Sequence, residues 1–171
     1  MLIVFGGLPG TGKTTLARRV AQQKRAAYLR IDSIEQAIRA SGTLAGEVGP
    51  SGYLVAYALA EANLALGQDV VADSVNPLAI TRSAWRRAAA NASSPCIEIE
   101  VVCSDPVEHR RRVETREADI LGLRVPSWDD VQRRAYEAWD RPRLVLDTAG
   151  RSASDLSAEL HRRIDAACAG Q

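Results

Sequence analysis

The sequence predicts an α/β fold in which a parallel sheet is covered by helices on both faces, as one domain over residues 1–171. Three observations carry this. Short apolar runs alternate with helix-length segments along the whole chain. The first apolar run leads directly into a glycine-rich turn and then a helix. The length and a hydrophobic content of 46% suit a single compact domain with a sizeable core.

Residues 2–5 are continuously apolar and end in Gly6-Gly7, which reads as a buried strand entering a tight turn. A helix follows from Gly12 to about Lys24, with Leu16, Val20 and Ala21 on one face. Residues 27–31 form a second strand, ending at Asp32. Ser33 is placed to cap a helix over 34–40, with Asp32 and Glu35 at its positive end. Residues 41–52 are rich in glycine and read as a loop. Residues 53–66 form a helix stopped by Gly67. A third strand spans 69–73, and Asn76-Pro77 starts a helix through about Asn91. Residues 97–103 form a fourth strand, and Asp105-Pro106 opens a helix running into an arginine-rich stretch near Arg116. Residues 119–126 are irregular, and Ser127 caps a helix through about Trp139. The fifth strand is 144–147 and the closing helix 152–167.

Composition excludes some functions. A net charge of +1 provides no general attraction to nucleic acid or to an anionic membrane. No apolar run reaches the roughly 18 residues a membrane span needs. Cys96, Cys103 and Cys168 form no C-x-x-C pair, so they read as reduced structural thiols of a cytoplasmic protein. The first strand begins at once, which leaves no room for a removable targeting segment. Lys13 and Lys24 are the only lysines in an arginine-rich chain, which makes the position of Lys13 informative.

The segment Gly7-Leu8-Pro9-Gly10-Thr11-Gly12-Lys13-Thr14 matches G-x-x-x-x-G-K-[ST]. In this P-loop pattern the glycines let the backbone wrap closely around a triphosphate. Inward-pointing amides and the N-terminus of the next helix hold its charge. Lys13 is expected to reach the β- and γ-phosphates, Thr14 to bind Mg²⁺, and Thr15 to lie on the α-phosphate side. The expected cofactors are ATP and Mg²⁺.

Other candidates lie at strand ends, which face the ligand crevice in such sheets. Asp73 can hold Mg²⁺ through water, or simply serve a turn. Asp32 can orient or deprotonate an acceptor hydroxyl, or only favour the following helix. Arg112 and Arg116 share one helical face, with Arg110, Arg111 and Arg124 nearby. On a lid over about 110–126 they would surround the γ-phosphate and exclude water. The Asp147-Thr148-Ala149-Gly150 turn can pack against the adenine edge, or be an ordinary turn. The 42–52 loop, Tyr53 and Tyr57 are expected to line an acceptor pocket, with Asn76 assisting. His109 and His161 read as surface or capping residues. Trp85, Trp128 and Trp139 read as core.

The segment from Gly6 to Thr15, with Arg30-Ile31-Asp32-Ser33, resembles small bacterial P-loop kinases of the AAA-type ATPase or predicted-kinase kind. The layout is similar to chloramphenicol phosphotransferase, zeta-toxin-like kinases, shikimate and gluconate kinases, and the kinase domain of polynucleotide kinase. The resemblance implies a three-layer α/β/α sandwich with strand order 2-3-1-4-5 and an arginine-rich lid. It implies that Asp32 activates the acceptor, that Arg112, Arg116 or Arg124 are lid arginines, and that Arg39 lies in the acceptor-contacting region. No D-x-D follows the second strand, and Ala72-Asp73-Ser74-Val75-Asn76-Pro77 replaces the D-G-x-P-R segment of nucleoside monophosphate kinases. Nothing indicates the second helical domain of AAA+ machines.

The leading expectation is an ATP- and Mg²⁺-dependent phosphotransferase acting on a hydroxyl of a small molecule. A nucleotide-hydrolysing switch acting through a partner, and a polynucleotide 5′-kinase, are the alternatives. No basic tract interleaved with aromatics supports a nucleic-acid acceptor. The sequence leaves monomer and homodimer open.

Overall fold

A computed structural model describes residues 1–43 and 46–169. The thiol of Cys168, and the part of the 42–52 loop at Leu44 and Ala45, fall outside the described residues. The elements run β1 (Leu2–Gly6), α1 (Lys13–Lys24), β2 (Ala27–Arg30), α2 (Ile31–Ala40), α3 (Ser51–Ala65) and β3 (Val70–Asp73). They continue with α4 (Ala79–Asn91), β4 (Cys96–Val102), α5 (Pro106–Glu114), α6 (Trp128–Arg133), β5 (Leu144–Asp147) and α7 (Ala153–Ala169).

The five strands form one parallel sheet in the order β2-β3-β1-β4-β5. The central strand β1 is apolar throughout because both of its faces are buried. Ile3 and Phe5 point to a core built with Leu16 and Val20 of α1 and Leu160 and Ile164 of α7. Leu2 and Val4 point to the opposite core, with Ala56 and Ala60 of α3 and Trp85 of α4. Helices on both faces make three layers. Register aligns the strand ends: Asp73 lies beside Phe5 on one side and Arg30 on the other, at the edge where β1 turns into α1.

Three of the helix boundaries that differ from expectation do so for a tertiary reason. Helix α2 starts at Ile31, directly after β2, so Ser33 does not cap it and Asp32 lies in its first turn. Arg30 at the junction is extended, and its guanidinium is committed to Asp32 and Asp119. Helix α4 starts at Ala79 rather than at Asn76-Pro77, because Asn76 adopts φ +51°. Helix α6 stops at Arg133 instead of reaching Trp139. The chain beyond it packs back on the α4 approach, where Glu137 N–H donates to Pro77 O at 2.8 Å. The Glu137 carboxylate accepts from Ala79 N–H at 2.6 Å, and Arg82 donates to the Asn76, Glu137 and Ala138 carbonyls. These tertiary bonds replace the helical bonds that residues 134–139 would have made.

Trp85 is fully buried, packing edge-on against Tyr57 at 4.6 Å between ring centres. Trp128 and Trp139 are only half-buried, so neither is core. Trp139 lies against Gly6, with the Arg82 guanidinium 4.8 Å from its ring centre. Cys96 and Cys103 are free, and burial pushes the Cys96 thiol up to about 12. No described helix is long and apolar enough to cross a membrane.

Replacing Trp85 by Ala leaves a cavity between α3, α4 and the sheet, and is expected to lower unfolding free energy by about 3–5 kcal/mol in urea titrations.

Candidate active site: two clefts meeting at Lys13 and Arg116

The loop between β1 and α1 has little room for side chains. Gly7 has φ +138°, and a Cβ there would run into the Val101 carbonyl oxygen. Gly10 has φ +85°, and its Cβ would meet Val113 and the His109 ring. Both positions need glycine on steric and conformational grounds. Gly12 precedes the helix, so the unpaired amides of the first turn of α1 open into the loop.

The loop is held from outside by contacts between chain-distant residues. Nε2 of His109, on α5, lies 2.8 Å from the Pro9 carbonyl oxygen, and the ring packs edge-on against Trp128. His109 is buried and supports the P-loop, which corrects its reading as a surface or capping residue. His161 is exposed beside Asp165, as expected. The Thr148 hydroxyl lies 3.0 Å from the Thr11 carbonyl and 3.1 Å from that of Val102. Arg112 donates to the Thr148 hydroxyl at 2.8 Å and to its carbonyl at 3.0 Å. Glu108 fixes Arg112 at 2.6 Å and accepts the Gly150 N–H at 2.8 Å, which holds its carboxyl below the usual range. Gly150 thus serves the turn and lines neither cleft.

Lys13 is buried, and desolvation lowers its pKa, opposed by the carboxylates of Asp73 and Asp32. Asp73 is buried at the end of β3 and accepts the Tyr28 hydroxyl at 2.6 Å. The Thr14 hydroxyl opens on the first cleft and Asp73 lies within electrostatic reach of Lys13 behind it, hard oxygen donors of the kind that suit Mg²⁺.

Two clefts flank Lys13. The first, about 390 Å³, runs along Gly10, Gly12, Thr14 and Thr15 to Arg112 and Thr148. Arg18, Arg151 and Asp119 also line it, and none of the three was singled out from the sequence. The second, about 930 Å³, is walled by Asp32, Glu35 and Arg39 of α2, by Pro9, Tyr53 and Val75, and by Arg124. Lys13 and Arg116 line both. The structure brings neither Tyr57, Asn76 and Asp73 nor the described residues of the 42–52 loop into either cleft. The Tyr57 hydroxyl donates to the Thr81 carbonyl, and Asn76 is fully buried behind the wall, its N–H donating to the Tyr53 hydroxyl.

The basic residues of 110–126 do not share one face. Arg110 pairs with Glu114 on the surface, Arg112 turns toward Thr148, and Arg116 lies past the end of α5. What ties the segment down is an acid, Asp119. It accepts from Arg30 at 2.7 and 3.0 Å and from Arg18 at 2.5 Å, with Arg116 at 4.0 Å. The Arg30 hydrogen bonds, followed by that from Arg18, hold its carboxyl well below the usual range. No local pattern signals this contact, because Arg30 and Asp119 are 89 residues apart.

A parallel sheet of this order with a phosphate loop at the end of its central strand defines a P-loop α/β protein with the topology of small kinases. The chain belongs to the AAA domain family (AAA_33), which matches residues 2–140. An uncharacterised Mycobacterium tuberculosis protein is 34% identical over 119 residues, 63% of this chain. The chain spans about a quarter (24%) of that relative's length. Among solved structures, it is similar to the Mycobacterium tuberculosis APS kinase CysC in complex with AMPPNP and APS, at 20% identity and TM-score 0.69 over 96% of this chain and 95% of that one. A Sinorhizobium meliloti gluconokinase aligns at 17% identity and TM-score 0.61, over 92% and 87% of the two chains. Chaetomium thermophilum Kti12 in complex with ADP-AlF3 aligns at 26% identity and TM-score 0.60, over 96% and 97%. At these identities the kinase structures establish the fold alone.

His109→Ala removes the prop beneath Pro9 and is expected to weaken ADP binding about tenfold in calorimetry, with the circular dichroism spectrum retained. Asp119→Asn is expected to lower stability at pH 7 by on the order of 1–2 kcal/mol, a figure reduced by the partial exposure of Asp119. A carboxyl depressed in the folded state stabilises above its unfolded pKa and loses that contribution as pH falls. The stability gap between wild type and Asp119→Asn, followed by thermal melts, therefore narrows below about pH 4.

Proposed function

We propose that this chain is an ATP- and Mg²⁺-dependent phosphotransferase that moves the γ-phosphoryl group to a hydroxyl of a small molecule. The observation that carries this reading is the meeting of two clefts at Lys13 and Arg116. A site for hydrolysis alone needs a nucleotide cleft and a water. Here a second and larger cleft opens on the same lysine, with Asp32 in its wall.

In this reading ATP lies in the first cleft, with its phosphates against the amides of 10–15 and the Lys13 ammonium. Arg112 and Thr148 border the nucleoside side. Thr14 would hold Mg²⁺, with Asp73 acting through water, and the ion would neutralise charge on the phosphates. The acceptor occupies the second cleft between Asp32, Arg39 and Tyr53. Its hydroxyl oxygen forms the new bond to the γ-phosphorus as the bond to the bridging oxygen breaks, and ADP departs with that electron pair. The hydroxyl proton passes to the Asp32 carboxylate, 40% exposed at its side chain and so able to receive and release it. Lys13 and Arg116 face charge developing on the transferred group from both sides of the junction. The segment around Asp119 serves as the lid that keeps water from the junction.

Lys13→Ala is expected to abolish acceptor-dependent ADP release, measured over a metabolite, nucleoside and antibiotic panel. Chelating Mg²⁺ with EDTA abolishes it as well. Asp32→Asn is expected to lower kcat by about 10²–10⁴-fold with little change in the KM for ATP. Near-normal turnover in Asp32→Asn removes Asp32 as the base.

A further inference from the structure

The second cleft carries more positive charge than phosphoryl transfer requires. Its walls hold six cations, Lys13, Arg39, Arg116, Arg124, Arg133 and Arg134, against three carboxylates, Asp32, Glu35 and Asp130. This is an excess of three positive charges in a single cleft, on a chain whose formal net charge is +1. Lys13 and Arg116 also line the first cleft, where the triphosphate accounts for them.

The other four belong to the second cleft alone, and two are already partnered. Arg39 approaches Glu35 at 3.4 Å, and Arg133 approaches Asp129 at 3.7 Å. Arg124 and Arg134 have no ion-pair partner within 4.0 Å among the described residues. They come from separate segments: Arg124 precedes the capping box of α6, and Arg134 follows the last residue of that helix. Arg124 is within electrostatic reach of Asp130, whose carboxylate accepts the N–H and hydroxyl of Ser127. Burial pushes the Glu35 carboxyl up, opposed by the nearby Arg39 and Arg134 guanidinium groups.

Like charges gathered in one concave wall focus a field that attracts an anion. Guanidinium groups present planar donor forks that match carboxylate, sulfate and phosphate oxygens. Asp32, paired with Arg30 at 3.3 Å and within electrostatic reach of Lys13, lines the same cleft and is the carboxylate placed for the hydroxyl. Resting on the phosphotransferase reading above, we propose that the acceptor is itself an anion: a small hydroxyl compound whose phosphate, sulfate or carboxylate group is held by Arg124 and Arg134. These are acceptor-positioning residues, and the group they bind is not the one transferred.

Two measurements test this. The first is ADP release with matched acceptors: glycerol against glycerate and glycerol 3-phosphate, glucose against gluconate and glucose 6-phosphate, and adenosine against AMP. Turnover is expected to favour a charged member over its neutral partner by at least about tenfold in kcat/KM. Which charged member is used separates carboxylate from phosphate. The Arg124→Ser/Arg134→Ser double variant is expected to raise the acceptor KM about tenfold, far more than it lowers kcat, without moving the KM for ATP. Equal use of neutral members, an unchanged acceptor KM in the double variant, or an oligonucleotide as the best acceptor overturns the proposal.

The second measurement needs no turnover. With AMPPNP and Mg²⁺ filling the P-loop, sodium sulfate is titrated calorimetrically into the wild type and the double variant. Binding to the wild type and loss in the variant are expected. Absence of sulfate binding to the wild type overturns the anion assignment even if some acceptor is phosphorylated. Sulfate binding with no turnover on any panel member overturns the phosphotransferase reading, and the acceptor assignment with it.

Discussion

Lys13 is a cation taken out of water at the mouth of a parallel sheet, and most of the site's architecture follows from keeping it there charged. Burial disfavours its ammonium form, and Asp73 and Asp32 oppose that tendency. These two carboxylates arrive by different routes. Asp73 is carried to the edge by the register of β3 against β1, and its hydrogen bond from Tyr28 orients it. Asp32 is carried there because α2 begins without a connecting turn after β2. The loop that presents Lys13 cannot carry side chains at Gly7 or Gly10, and within it the Thr11 hydroxyl donates to the Leu8 carbonyl at 2.9 Å. Further stiffness comes from Thr148 bonding to Thr11 and from His109 beneath Pro9.

That dependence explains why elements from the second half of the chain converge on a motif in the first fifteen residues. Arg112 does not project into solvent as a free basic group. It joins α5 to the β5–α7 turn through Thr148, and Glu108 holds it from the other side. The P-loop, α5 and the last turn therefore form one hydrogen-bonded unit along the first cleft. A bound triphosphate would meet donors already oriented by their neighbours, which reduces the cost of ordering them on binding.

Asp119 plays the corresponding part between the clefts. It joins the irregular segment after α5 to Arg30 on β2 and Arg18 on α1, and brings Arg116 to the junction. Arg30 is almost fully buried, so its charge requires partners, and Asp119 and Asp32 supply them. The same set of charges thus determines both where the segment rests and how the two clefts are divided.

The sequence alone determined the parallel α/β layering and the phosphate loop, because both are written in short-range patterns. The apolar run of β1, the strand-length segment of β4, and glycines at defined offsets before Lys13 and Thr14 act over no more than one structural element. The position of Asp73 at the end of β3 was legible for the same reason, whereas Asp32 falls in the first turn of α2. Tertiary structure decided the rest. Whether a basic residue between 110 and 126 faces Thr148, the junction or solvent depends on groups far away in the chain. The same holds for the burial of His109, the early stop of α6, and the pairing of Asp119 with an arginine 89 residues distant. Such contacts are set by how the strand crossovers stack helices on the sheet, and an ion pair or a buried imidazole leaves no periodicity in the sequence to mark it.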